Sequence, residues 1–136
     1  MTTIATAVPD VLTTADFDRI VVFESGRRAI AVRNVPATLQ CFTTHFPRLP
    51  VLPGVLLLED MAALAAGVAY TGRPLRLRAA RKVRFRRPVG PGDQVEITVE
   101  MTGPVGGGTE CGAVARVGGR TVATAGALLL HPVDAR

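Results

Sequence analysis

The chain has 136 residues, enough for one domain with a substantial core and too few for two. Hydrophobic residues make up 48% and aromatics 4%, which fits a soluble globular protein. The net charge of +5 is carried almost wholly by arginine, since Lys82 is the single lysine.

Residues 1–15 show weak periodicity and read as a loose lead-in to one domain over 16–132. No basic-then-apolar leader opens the chain, so the cytoplasm is the expected compartment. Residues 18–25 and 27–35 read as two strands around a Ser25-Gly26 turn, the second alternating Ala29, Ala31 and Arg33 against Ile30, Val32 and Asn34. Pro36 to Thr44 connects to a histidine-bearing loop in which Pro47, Pro50 and Pro53 lock φ and remove donors. Residues 46–53 are therefore expected to be stiff and extended.

From Gly54 the chain turns to Leu, Ala and Met, which predicts a helix over 54–69, closed by Gly72-Arg73-Pro74. The apolar run 51–70 approaches membrane-spanning length, but Pro53, Gly54, Glu59 and Asp60 lie within it, and mid-span charges exclude a transmembrane segment. A helix apolar on nearly every side belongs in a core, where a carboxylate is costly unless paired, hydrogen-bonded or working. Glu59 shares a face with Val55, Ala62 and Ala63, and Asp60 shares one with Leu56, Leu57 and Leu64. The wheel does not choose between them, although the small alanines beside Glu59 leave room for a substrate.

After the helix, residues 75–89 alternate basic and apolar side chains. Pro91-Gly92-Asp93 makes a turn, 94–102 alternates Val95, Ile97, Val99 and Met101 with polar partners, and Gly103 to Gly108 reads as a flexible loop. Strands over 110–117 and 120–130 complete a meander. A helix followed by hairpin-linked strands predicts an α+β domain, helix against antiparallel sheet. One helix covers little of such a sheet, so a dimer is expected. Cys41 and Cys111 have no metal-ligand spacing and read as two buried thiols. Eight cations crowd into 73–87, but with no stacking platform and no recognition helix they do not point to nucleic acid. They suit an acidic protein or a phosphate.

The stretch HFPRLPVLPGVLLLEDMA (45–62) closely resembles the signature of the β-hydroxyacyl-acyl carrier protein dehydratases of type II fatty-acid synthesis. That signature runs His-Phe-Pro-Gly, a Pro two residues on, Pro-Gly-Val, and a Glu fourteen residues after the His, the spacing of His45 and Glu59. The opening strands and residues 82–100 resemble the same family, so the likeness spans roughly 16–132. It implies the hotdog fold, a long central helix wrapped by a curved antiparallel sheet. It also implies dehydration of 3-hydroxyacyl thioesters to trans-2-enoyl thioesters, without a cofactor and without a metal. The expected partners are acyl carrier protein with its phosphopantetheine-linked chain and a second subunit, as homodimer or heterodimer or trimer of dimers. No membrane partner is expected.

Elimination of water needs a base for the C2 proton, an acid for the leaving hydroxyl and a donor for the thioester oxygen. His45 fits the base, because imidazole titrates near neutrality. Glu59, desolvated on an apolar helix, fits the acid. The backbone N–H of Gly54 at the helix start fits the donor. The resemblance gives these positions the same roles and forms the site across a dimer, His45 from one subunit and Glu59 from the other. It also chooses Glu59 over Asp60, which is expected to pair with an arginine near a subunit boundary. Phe46, Pro53, Val55, Leu58 and Ala63 are the expected substrate-binding residues, and Arg84, Arg86 and Arg87 the carrier-docking ones. Three positions depart from the pattern: Thr44 and Arg48 stand where the family has glycine, and Ala63 where it has glutamine. They suggest a specialised pathway such as polyketide or other secondary-metabolite synthesis. The alternatives are a hotdog thioesterase and a non-catalytic subunit of a heteromeric dehydratase.

Overall fold

The computed structural model describes residues 3–4, 17–36 and 52–133. Along the chain run β1 (Thr3–Ile4), β2 (Arg19–Glu24), β3 (Arg28–Asn34), α1 (Gly54–Val68), β4 (Leu75–Phe85), β5 (Gln94–Val105), β6 (Gly108–Val117) and β7 (Arg120–Pro132). One sheet contains all the strands in the order β1-β2-β3-β5-β6-β7-β4. Every pairing is antiparallel except the two-residue β1, which runs parallel to β2. A helix against one antiparallel sheet is the architecture expected from the order of the elements.

Alternation and register explain how the helix seats. Strand β3 pairs with β5 so that Ala29 faces Val99, Ala31 faces Ile97 and Arg33 faces Val95. Ala29, Ala31, Val95, Ile97 and Val99 are all buried, with Cys111, Ala113, Ala115, Ala123, Ala125, Leu128 and Leu130 continuing the floor. The many alanines let α1 approach closely, and it packs against β3 through β7. Its inward stripe of Leu57, Met61, Leu64, Ala65 and Val68 follows helical spacing. Each large member of that stripe contributes about 1.5–3 kcal/mol by leaving water.

Three backbone hydrogen bonds hold the ends. Leu52 N–H donates to the Val89 carbonyl at 2.6 Å just before the helix, and Gly26 N–H donates to the last helical carbonyl, Val68, at 2.8 Å. Gly26 has φ of 75°, a turn geometry a side chain would resist. The end of β3 is tied by Val35 N–H to the Asp93 carbonyl at 2.9 Å.

Two element boundaries differ from expectation. The segment Gly103 to Gly108 is not a flexible loop: β5 continues to Val105, β6 starts at Gly108, and Gly106-Gly107 makes a two-residue turn with φ of 44° and 87°. Positive φ at both central residues matches the strand twist, so the ladder runs up to the turn. Strand β4 ends at Phe85 rather than at Val89, because Arg86 and Arg87 both turn their N–H groups to one carbonyl, Val122. No helix among the described residues is long and apolar enough to cross a membrane.

Cys111 is fully buried, while Cys41 lies outside the described residues. Burial pushes the Cys111 thiol up to about 12 from 9.0, with a further push from Glu110. The folded state thus keeps its proton where the unfolded chain has lost it, so stability falls as pH rises from about 9 towards 12. Denaturant midpoints measured across that window should drop, and Cys111→Ala should flatten part of the drop. Equal slopes in both proteins would refute this account of the thiol.

Candidate active site

Helix α1 begins at Gly54. Pro53 precedes it with φ of −58° and ψ of 137°, and no side chain caps it. Its first N–H groups have no partner one turn back within the helix. Leu52, only 3% exposed, anchors the approach. Phe85 at the end of β4 lays its ring over Gly54: a Cβ added there would lie 2.7 Å from two ring carbons. A side chain here would have to push the ring aside. Beside this contact lies a cavity of about 410 Å³, walled by Leu52, Val55, Leu57, Phe85 and Val89 and edged by Arg86 and Arg87. An apolar recess beside a helix N-terminus and guanidinium groups can take a chain with a polarised carbonyl and an anionic end.

The two adjacent carboxylates part company. Asp60 is buried and accepts from Arg33 Nη1 at 2.6 Å, both side chains being about one-tenth exposed. Arg33 is on β3 in the same inward row as Ala29 and Ala31, so the arginine partner expected for Asp60 comes from within the chain. Glu59 is exposed. The desolvated setting expected for it is absent within one chain, because the sheet wraps the face of α1 bearing Leu57, Met61 and Leu64. That leaves Val55 57% exposed on the other side. Leu58 and Ala63 are half-buried, Leu58 packing against the core.

Of the expected site residues, Gly54, Val55, Arg86 and Arg87 meet at the cavity, and Pro53 adjoins it. His45 and Phe46 lie outside the described residues, as do Thr44 and Arg48. Arg84 points to the opposite face of the sheet. There it joins Lys82, Arg86, Thr98, Glu100, Thr102 and Thr124 around a shallow depression of about 780 Å³ floored by Gly112 and Gly126. Lys82, at φ of 55°, leans its stem across Gly126. Among the described residues no three His, Cys, Asp or Glu side chains gather as a metal-binding set. Two contributors were not foreseen. Arg33 was legible as a cation in an otherwise alanine row, whereas Phe85 had no signal beyond a glycine at a helix start.

Two outcomes follow for these contacts. Arg33→Met or Asp60→Leu alone removes one half of the buried ion pair and should cost about 3–5 kcal/mol in urea unfolding, and the double substitution much less. A double no better than the sum of the singles would remove the pair from the core. Gly54→Ala should cost about 1–3 kcal/mol through the Phe85 clash and close to nothing in a Phe85→Ala background. Additive losses would mean that the ring does not dictate the glycine.

Comparison with known proteins bears on this geometry. Residues 22–106 match the ApeI-like family, described as ApeI dehydratase. The 3-hydroxyacyl-[acyl-carrier-protein] dehydratase FabZ of Granulibacter bethesdensis is 38% identical over 128 residues, covering 88% of this chain and 75% of that protein. Among solved structures, an uncharacterized protein from Pyrococcus horikoshii superposes with a TM-score of 0.72 at 13% identity, covering 98% of this chain and 96% of the other. The dehydratase heterocomplex ApeI:P from Xenorhabdus doucetiae superposes with a TM-score of 0.63 at 18% identity, covering 79% and 89%. With the helix, the sheet order and these likenesses in agreement, the chain belongs to the hotdog dehydratase family that takes in the FabZ and ApeI-like proteins.

Proposed function

We propose that this protein dehydrates 3-hydroxyacyl thioesters carried on acyl carrier protein, giving trans-2-enoyl thioesters and water. The observation that carries the reading is the apolar cavity at the Gly54 helix start with Arg86 and Arg87 at its mouth. The FabZ relative at 38% identity supports the substrate class.

In this reading the thioester oxygen accepts from the Gly54 N–H, where the helix dipole favours developing negative charge. His45 takes the C2 proton, Glu59 delivers a proton to the C3 hydroxyl, and the C2–C3 double bond forms as water leaves. Proton balance is internal: His45 gains what Glu59 loses, and a later exchange with solvent resets both. Pro53, Val55 and Leu58 with Phe46 and Ala63 line the path of the acyl chain. Arg86 and Arg87 at the cavity mouth receive the acidic carrier and its phosphate, and Arg84, on the opposite face of the sheet, drops out of that set.

A general acid that is exposed in one chain needs a second subunit over it, because only a desolvated carboxyl holds its proton near neutral pH. The uncovered flank of α1 around Val55 and Glu59 and the β4 edge, unpaired among the described residues, offer that subunit its seat. The reaction belongs with carrier-protein chemistry in the cytoplasm.

Intact-protein mass spectrometry of a 3-hydroxyacyl carrier protein tests the reading. Wild type should convert it to a species lighter by one water, and His45→Ala and Glu59→Gln should each slow that conversion by roughly 10²–10⁴-fold. Release of the free carrier thiol would instead mean hydrolysis. An unchanged carrier with a folded protein would sink the proposal.

A further inference from the structure

We propose that the outer face of the sheet holds a small-molecule site, built for a phosphate monoester that carries an amino group at its far end. The inference does not rest on the dehydration chemistry.

The face is the one turned away from α1. Along β5, Val95, Ile97 and Val99 go to the core, so Thr98 and Glu100 stand outward. By the same alternation β6 turns out Gly112 and Val114, β7 turns out Thr124 and Gly126, and β4 turns out Lys82 and Arg84. Strand pairing sets Thr98, Val114, Thr124 and Arg84 in one row. In the next row Glu100 stands opposite Gly112, and Lys82 lies beside Gly126. These rows line the depression of about 780 Å³, a volume usual for small-molecule sites.

Glycine weakens a strand interior and often marks the close approach of something else. Lys82 accounts for Gly126, because a Cβ there would lie 2.9 Å from the lysine Cβ. The lysine itself holds φ of 55°, and its stem crosses Gly126. Gly112 has no such neighbour. It sits where the β6–β7 register shifts, yet its φ is not left-handed and a Cβ there would meet no atom nearer than 3.7 Å. A side chain fits this position, and its absence keeps the floor of the depression bare.

The charges choose the occupant. Lys82, Arg84 and Arg86 edge the depression on the side of β4, and Glu100 stands on the side of β5. Among the described residues neither side is neutralised. The ion pairs are those of Glu24 and Asp60, and Arg28, the cross-strand neighbour of Glu100, is held by Glu24 at 2.6 Å. Three cations on one wall suit the dianion of a phosphate monoester. On the other wall, three strand spacings or roughly 14 Å away, the carboxylate accepts from an amino group and repels a second anion. Glu100 therefore turns away a polyanion such as nucleic acid or an acidic protein face. Thr98 and Thr124 offer hydroxyls to the body of the ligand, and Val114 gives it an apolar bed.

Isothermal titration calorimetry of the full chain with adenosine monophosphate, inosine monophosphate and adenosine reads both ends of the site. The first two differ in one amino group, which inosine monophosphate replaces by a carbonyl, and adenosine lacks the phosphate. Adenosine monophosphate should bind at least about tenfold more tightly than either of the others, the size expected for one charged hydrogen bond. Glu100→Ala should bring the two nucleotides within about twofold of each other, and Arg84→Gln should weaken both by about tenfold or more. Arg84 is chosen because Arg86 also borders the cavity at α1. Gly112→Val should keep its unfolding temperature, since the position has room and valine favours strands, and should abolish binding by filling the floor. The proposal is overturned if adenosine monophosphate does not bind at about 1 mM, as when a second copy covers the face. It is equally overturned by binding no tighter than that of inosine monophosphate, or by binding unchanged in Gly112→Val. Should Gly112→Val unfold, Arg84→Gln decides: weakened binding supports the site and an unchanged constant refutes it.

Discussion

A single curved sheet can wrap only one side of a helix, and most features of this protein follow from that limit. Helix α1 is apolar around nearly its whole circumference, yet Leu57, Met61, Leu64 and Val68 are the members the sheet reaches. Val55 and Glu59 are left on the open side. A soluble domain does not ordinarily leave a helix of this composition half-covered. The uncovered flank is thus a property of the fold's arithmetic, one helix to one sheet, before it is a property of any site.

The same limit separates the two carboxylates. Neighbours on a helix are about 100° apart, so a boundary between covered and open faces can fall between adjacent residues. Here it falls between Glu59 and Asp60. Asp60 enters the core, where it is tolerable because Arg33 extends from the inward row of β3 to meet it at 2.6 Å. Glu59 stays in solvent. One carboxylate is committed to joining helix and sheet, and the other faces solvent in the single chain.

How much of this could be read in advance depends on the range of the interactions involved. Strands and helix were legible because alternation, helical spacing, proline and glycine act within a few residues. Even so, the Gly106-Gly107 turn reads in the sequence as part of a loose loop, since a glycine-rich run gives the same local signal for a tight hairpin and for slack chain. The destination of Asp60 was half legible: an arginine partner was expected, but its location required the register that puts Arg33 with Ala29 and Ala31. The exposure of Glu59 was not legible, because a hydrophobic helix pattern does not say how far a sheet will reach around it. The Phe85 ring over Gly54 joins residues from separate elements and has no local trace at all. His45 and its loop lie outside the described residues, so the spacing between His45 and Glu59 rests on the sequence and the family alone.

Open flank and open edge occur on the same side of the helix start. Phe85 closes β4 and lies on Gly54, Val55 follows one residue later, and Arg86 and Arg87 leave the strand over the same cavity. A subunit that pairs with β4 therefore comes to the helix N-terminus as well, and cannot cover one without approaching the other. Whatever packs on that edge therefore also faces the recess that Leu52, Val55 and Phe85 wall and that Arg86 and Arg87 border.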